Sequence, residues 1–208
     1  ALKGICESIY WKPTIIWYID KVKILKPIKT ESKGIRPIKY SHSANESPND
    51  LSFYTYLSDV EYIVTAHFEF NLNRPELEKD RNENKHYFIA KRAIEKGGRR
   101  DIFLGTRECQ GYVIPADENE EGYYDNMGEM QFGFMYHSLS YPDENGKNQL
   151  WAKFWNPLMK NGEIIFCRPE ECPKEVLIKE MPAKVFDNTN FSGLEESELL
   201  DGYKEGDE

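Results

Sequence analysis

Lys85 and His86 stand side by side where "NENKHYFIAKRAIEKGGRRD" takes on helical spacing, and this pair is the first candidate for chemistry in the chain. A helix start presents unpartnered N–H groups and a partial positive charge, so it attracts phosphate. A lysine there adds a full charge, and histidine gives and takes a proton near neutral pH. The same pair would also suit an ordinary solvated first turn. "GGRRD", Gly97 to Asp101, closes the helix, and glycine at a helix end is accounted for by the left-handed backbone it adopts. The functional alternative for Gly97 and Gly98 is a loop that approaches a phosphate closely, with Arg99, Arg100 and Arg107 supplying charge. Tyr10 and Trp11 end an earlier helix and read as core or rim aromatics.

The remaining candidates are weaker. His42 falls in a polar loop, His67 on the less apolar side of a strand and His137 in a later strand, all structural or solvent-facing positions. Acids are plentiful, but no motif groups several around a metal, and "DENEEGYYD" reads as a solvated loop. Cys6, Cys109, Cys167 and Cys172 fit no zinc spacing and are too few for a disulfide scaffold, so they read as buried thiols of a reducing cytoplasm. Neither a metal nor a cofactor is expected.

The elements that must position these residues follow from periodicity. Leu2, Ile5, Cys6 and Ile9 recur at helical spacing, and Lys12-Pro13 stops that helix. Thr14 to Leu25 is rich in β-branched and aromatic residues and reads as a strand. "KPIKTESKGIRPIKY" follows as an extended basic arm or hairpin at a sheet edge, then "SHSANESPND" as a polar loop. Val60 to Phe70 alternates strictly, marking a half-buried strand. After an irregular stretch the second helix starts near Asn84 as N-cap and buries Ile89, Ala90, Ala93 and Ile94. A short strand is expected over Gly111 to Pro115. Three strand candidates follow in "GEMQFGFMYHSL", "NQLWAKFWNPLM" and "EIIFCRP", joined by "YPDENGKN" and "KNG" turns. With one strand restored ahead of Ala1, the first part becomes β-α-β-β-α-β, the ferredoxin-like arrangement. An element upstream of Ala1 is therefore expected. The end of the first helix then meets the start of the second, bringing Tyr10 and His86 within roughly 12 Å, given helix axes about 8–10 Å apart.

Charge is unevenly spread. The 208-residue chain has 27 Lys and Arg against 36 Asp and Glu, a formal net charge of −9. Yet the first forty residues carry nine basic against three acidic side chains, while the last fifteen carry seven acids and one lysine. Association with polyanions follows the local field, so the acidic total does not exclude it. With 39% hydrophobic residues the chain can build a core, and no apolar run approaches the ~20 residues of a membrane helix.

The run "KHYFIAKRAIEKGGRRDIFLGTRECQGYV" is distinctive as a whole, as is "ALKGICESIYWKP". With "YPDENGKN", "FWNPLMKNGEIIFCRPEECP" and "IKEMPAKVF", the chain closely resembles the CRISPR-associated family-five endoribonuclease of subtype I-C (the Dvulg subtype), in the RAMP superfamily. The resemblance covers nearly all of residues 1–187 and leaves the acidic tail unmatched. It implies an α+β fold, with a ferredoxin-like (RRM-like) RNA-binding and catalytic domain over residues 1–121 that lacks its first strand here. A small antiparallel β-sheet subdomain over 122–187 and an acidic, disordered tail over 188–208 complete the expected organisation. It implies metal-independent cleavage of precursor CRISPR RNA within each repeat, after which the protein stays on the 5′ handle in the type I-C interference complex. Implied partners are the repeat stem-loop, the other protein subunits and, indirectly, target DNA; no membrane partner is implied. The family's catalytic tyrosine falls on Tyr10 and its Lys-His pair on Lys85 and His86. Under this reading His86 is general base or acid, Lys85 stabilises charge, and Tyr10 orients or donates a second proton. Lys29, Lys33, Arg36 and Lys39 of the basic arm, with Gly97, Gly98, Arg99, Arg100 and Arg107, hold the RNA. The alternatives are a guide-RNA-binding subunit that does not cut and a metal-dependent DNA nuclease, for which no carboxylate cluster is evident.

Overall fold

The computed structural model describes residues 1–39, 48–117 and 119–184. His42, most of the expected polar loop and the acidic tail lie outside the described residues. In chain order the elements are α1 (Leu2–Ile9), β1 (Ile15–Ile24), β2 (Lys29–Ile35), β3 (Ser52–Ser58) and β4 (Tyr62–Phe70). A 3-10 turn (Pro75–Asp80) leads into α2 (Glu83–Glu95), followed by β5 (Ile102–Phe103), β6 (Gln110–Gly111), β7 (Glu129–Gln131) and β8 (Met135–Ser140). The chain continues through α3 (Pro142–Asn145), β9 (Gln149–Trp155), β10 (Leu158–Lys160), β11 (Glu163–Ile165), a second 3-10 turn (Pro169–Glu171) and β12 (Lys174–Glu180).

The main sheet is antiparallel with strand order β4-β1-β11-β10-β7. β1 and β4 pair along their length, with Ile15 opposite Phe70, Trp17 opposite Phe68 and Val22 opposite Val64. The register slips between Ile19 and Lys21, leaving Asp20 as the extra residue. A side chain changes face at every residue, so one inserted residue lets Val22 and Ile24 continue the face begun by Ile15, Trp17 and Ile19. That face carries two apolar clusters. Cys6, Ile9, Tyr10, Ile15, Trp17, Ala90 and Ile102 form the one under α1 and α2. Val22, Ile24, Tyr124, Trp155, Met159 and Ile164 form the other, under the C-terminal strands. Each fully buried large side chain contributes roughly 1.5–3 kcal/mol, so β1, which feeds both clusters, is the axis of the fold.

The helix–strand–strand–helix order of an α+β fold is present, and β4 has no strand on its outer edge among the described residues. Several details differ from the expectation. The basic arm is one half of a hairpin whose other half is β3, paired from Lys29–Ser58 to Ile35–Ser52. "GEMQFGFMYHSL" is broken at Gly133 (φ +72°) into β7 and β8, which join different sheets. "NQLWAKFWNPLM" is likewise split, by Asn156-Pro157, into β9 and β10. Of the strand expected over Gly111–Pro115 only Gly111 is paired, with Ile102; the pairing extends the other way, to Gln110 opposite Phe103. β8, β9 and β12 form a separate three-stranded sheet, while β7, β10 and β11 extend the main one. The main sheet is thus continuous across residue 122.

Candidate active site

Tyr10 ends α1 in an extended conformation (φ −153°, ψ 122°), its N–H donating to the Cys6 carbonyl at 2.9 Å. The Trp17 indole N–H donates to the Tyr10 carbonyl at 2.8 Å. These bonds fix the Tyr10 backbone where α1 gives way to β1. Across the groove, Asn82 caps α2, its side-chain oxygen accepting from the Lys85 N–H at 3.0 Å. The cap is two residues before the expected Asn84, because the preceding 3-10 turn delivers the chain earlier; Lys85 and His86 still fall at the helix start.

His86 is wholly buried, at 0% exposure, among Tyr10, Phe68 and Phe70, with ring centroids 5.9, 6.1 and 6.2 Å away. Its Nδ1 lies 2.8 Å from the Tyr10 hydroxyl and its Nε2 lies 2.8 Å from the Asp80 backbone carbonyl oxygen. A carbonyl only accepts, so Nε2 carries the proton; in the neutral ring Nδ1 then accepts, and Tyr10 is the donor. Burial, with the charge of Asp80, pushes the Tyr10 hydroxyl above its ordinary pKa, and Arg99 offsets part of this. Tyr10 therefore rests protonated at neutral pH.

Asp80 joins the remaining parts. Its carboxylate pairs with the Lys85 ammonium and accepts from the Thr14 hydroxyl at 2.6 Å, and one of its oxygens lies 3.6 Å from His86 Nε2. Desolvation alone would raise its pKa, but the hydrogen bonds from Lys85 and Thr14 and the charge of Lys85 hold it below the ordinary carboxylate range. Thr14 is fixed in turn: it is buried at the start of β1, and its carbonyl accepts the Asn71 N–H at 2.8 Å. Sequence reasoning missed Asp80 and Thr14. The one available signal was an acid shortly before a helix start, and 36 acidic residues dilute it.

Arg99 and Gly98 approach this site: the Arg99 charge reaches Tyr10, and Gly98 packs near the Ile9 backbone. Gly97 (φ +81°) and Gly98 (φ +100°) end α2 in a Schellman motif: the Gly98 N–H donates to the Ala93 carbonyl and the Gly97 N–H to the Ile94 carbonyl, at 2.8 and 2.9 Å. Helix termination accounts for both glycines. They also line an open pocket of about 470 Å³ with Arg99, Arg100, Gln110 and Tyr112, and Tyr112 is 91% exposed. Arg107 is exposed on the following loop. In the hairpin, Lys29, Lys33 and Arg36 are exposed and Lys39 is half-buried; Lys33 pairs with Glu31 at 2.6 Å. Tyr56 feels the charge of Glu108, so the hairpin lies near the Arg107 loop. His67 is taken up in a surface network with Asp20, Glu69 and Arg168. Cys6 is buried, and burial pushes its thiol up to about 12. No described helix is long and apolar enough to cross a membrane.

Comparison with known proteins bears on this geometry. The sequence profile of the family described as "CRISPR-associated protein (Cas_Cas5)", in its Cas5d form, matches residues 1–167. A Mannheimia succiniciproducens protein named "CRISPR pre-crRNA endoribonuclease Cas5d" is 28% identical over 187 residues, covering 79% of this chain and 80% of that protein. A solved structure titled "Crystal Structure of CRISPR-associated Protein" aligns with a TM-score of 0.70 at 37% identity, over 84% of this chain and 81% of the other. A functionally uncharacterized Streptococcus mutans protein aligns equally well, with a TM-score of 0.70 at 40% identity over 84% of this chain and 82% of that one.

Proposed function

The chain belongs to the CRISPR-associated Cas5 family, in its Cas5d (subtype I-C) branch, and from that premise we propose that it cuts precursor CRISPR RNA by a metal-independent transesterification. On this reading it works in the cytoplasm, cleaves within each repeat and stays on the 5′ handle as a subunit of the type I-C interference complex. The observation that carries the proposal is the hydrogen-bonded series Tyr10–His86–Asp80, with Lys85 tied to its end. Among the described residues, no three histidine, cysteine or carboxylate donors converge at this site.

RNA brings its own nucleophile, the 2′-hydroxyl, so the protein need only move a proton, align the groups and stabilise charge. His86 touches no solvent, so in this conformation it acts on RNA only through Tyr10. The Tyr10 oxygen takes the 2′-hydroxyl proton as its own proton passes to His86 Nδ1. The 2′-oxygen bonds to phosphorus and the 5′-oxygen leaves. The imidazolium so formed is stabilised by the Asp80 carbonyl and carboxylate. Lys85 exchanges Asp80 for the phosphate, holds the charge of the pentacoordinate intermediate and supplies the leaving oxygen with a proton. Arg99, Arg100, Arg107 and the hairpin cations hold the flanking backbone, and Tyr112 offers a face for a base to stack on.

The test is repeat RNA incubated without magnesium, with its ends analysed. The expected products carry a 2′,3′-cyclic phosphate and a 5′-hydroxyl. Substituting 2′-deoxyribose at the nucleotide before the cut should abolish cleavage; an unchanged rate would overturn the mechanism. A second reading, a subunit that holds guide RNA without cutting it, draws on the same burial, since Tyr10 is only 4% exposed. Binding of repeat RNA with no cut product would favour that reading.

A further inference from the structure

Away from Tyr10, the chain gathers a different set of donors. Cys167 follows β11, Cys172 precedes β12, and the 3-10 turn between them curls back so that the two sulfurs lie 3.9 Å apart. A ring nitrogen of His137, on β8, and the two sulfurs all lie within 4.8 Å of one another. The His137 ring is held there by a 3.1 Å bond from Nε2 to the Cys167 carbonyl, a 2.8 Å bond between Nδ1 and the Ser138 hydroxyl, and an edge-on contact with Trp155, centroids 5.1 Å apart; an ion takes the place of one of the two hydrogen bonds. None of the three is fully buried, so an ion can reach them.

We propose that Cys167, Cys172 and His137 bind a zinc ion. Two thiolates each about 2.3 Å from one tetrahedral zinc stand about 3.8 Å apart, close to the separation present here, whereas a disulfide would need about 2.05 Å. The donor set, two sulfurs and an imidazole, is soft and suits zinc over magnesium or calcium. Binding releases the two thiol protons, and a water completes the fourth position. Glu170 adds negative charge that reaches both His137 and Cys172, and Lys153 partly opposes it at Cys172. Contrary to the expectation that the cysteines fit no zinc spacing, the four residues between Cys167 and Cys172 are the long end of the range zinc ligand pairs adopt. What the sequence lacked was the third ligand, thirty positions away on another strand. β11 belongs to the main sheet and β8 to the three-stranded one, so the ion would clip the two sheets together.

The experiment is a cobalt(II) titration of the reduced, metal-stripped full chain. One equivalent should bind with a thiolate-to-cobalt charge-transfer band, and zinc should erase that band. Cys167→Ser and Cys172→Ser should each abolish it, and His137→Ala should lose most of the affinity. Should these variants not fold, zinc on the wild-type protein should shield Cys167 and Cys172, but not Cys109, from iodoacetamide, read by peptide mass spectrometry. Absence of the band in the wild type, or equal alkylation with and without zinc, overturns the proposal.

Discussion

Asp80 holds Lys85 by an ion pair, Thr14 by a hydrogen bond and His86 through its own carbonyl, so one residue ties the candidate site together. Asp80→Asn keeps the shape and removes the charge. Cleavage should fall by about tenfold, roughly 1.4 kcal/mol of activation free energy, with RNA affinity near wild type. The pH dependence has a definite sign. Because the folded pKa lies below the unfolded value, the stabilisation from Asp80 is complete above the ordinary carboxylate pKa of about 4 and is lost as pH falls through the depressed value. Thermal midpoints recorded from neutral to acid pH should therefore drop more steeply for the wild type than for Asp80→Asn; parallel curves would contradict this. Tyr10→Phe deletes the hydroxyl that the proposed mechanism places against RNA and leaves His86 Nδ1 buried without its partner. It should cost about 1–3 kcal/mol of stability and slow cleavage by roughly 10²–10⁴-fold. His86→Ala should slow cleavage similarly while repeat RNA still binds; a joint collapse of rate and affinity would make His86 an anchor. His86 stood out as one of four histidines, whereas Tyr10 is one of thirteen tyrosines and was singled out only by the resemblance of its run. Asp80 was not legible, because acids crowd this chain and only the folded turn distinguishes one of them.

Elements with a buried face were legible, and elements without one were not. β1 and β4 carry apolar stripes, as do both long helices, and periodicity finds them. β12 exposes all seven of its residues and β2 six of seven, so no alternation marks them, and β3 buries none of its seven fully. The break between β7 and β8 needed the positive φ of Gly133, which a sequence does not display. At the end of α2, Gly98 tests whether the cap matters beyond its pocket. A Cβ there would meet the Ile102 side chain at 3.3 Å on a backbone at φ +100°. Gly98→Ala should destabilise by more than about 1 kcal/mol, seen as a lower thermal midpoint, with cleavage retained well below it. An unchanged midpoint would mean that the turn relaxes freely.

For the whole molecule, net charge misleads and its distribution informs. If the hairpin and the arginine loop hold RNA as proposed, affinity for repeat RNA should fall steeply with salt despite the formal −9. Replacing Lys29 or Arg36 with alanine takes one cation away from the phosphates and should reduce the log–log salt slope by about 0.7. Lys33→Ala should matter less, since Glu31 already engages that lysine. Removing residues from Leu194 onward should leave the slope unchanged, and a salt-independent affinity would refute the assignment. The continuity of the main sheet carries a consequence for synthesis. β1 finds β4 early, but its other edge waits for β11, where Lys21 faces Ile165 and Val22 faces Ile164. Chains grow from the N-terminus, so a ribosome-bound intermediate already holding Tyr10 and His86 has β1 half unpaired, with Val22 and Ile24 uncovered. Such an edge is a template for a neighbouring chain. Slowing translation between α2 and β11 would lengthen that exposure and raise the yield of aggregate, whereas a pause after β11 would be harmless.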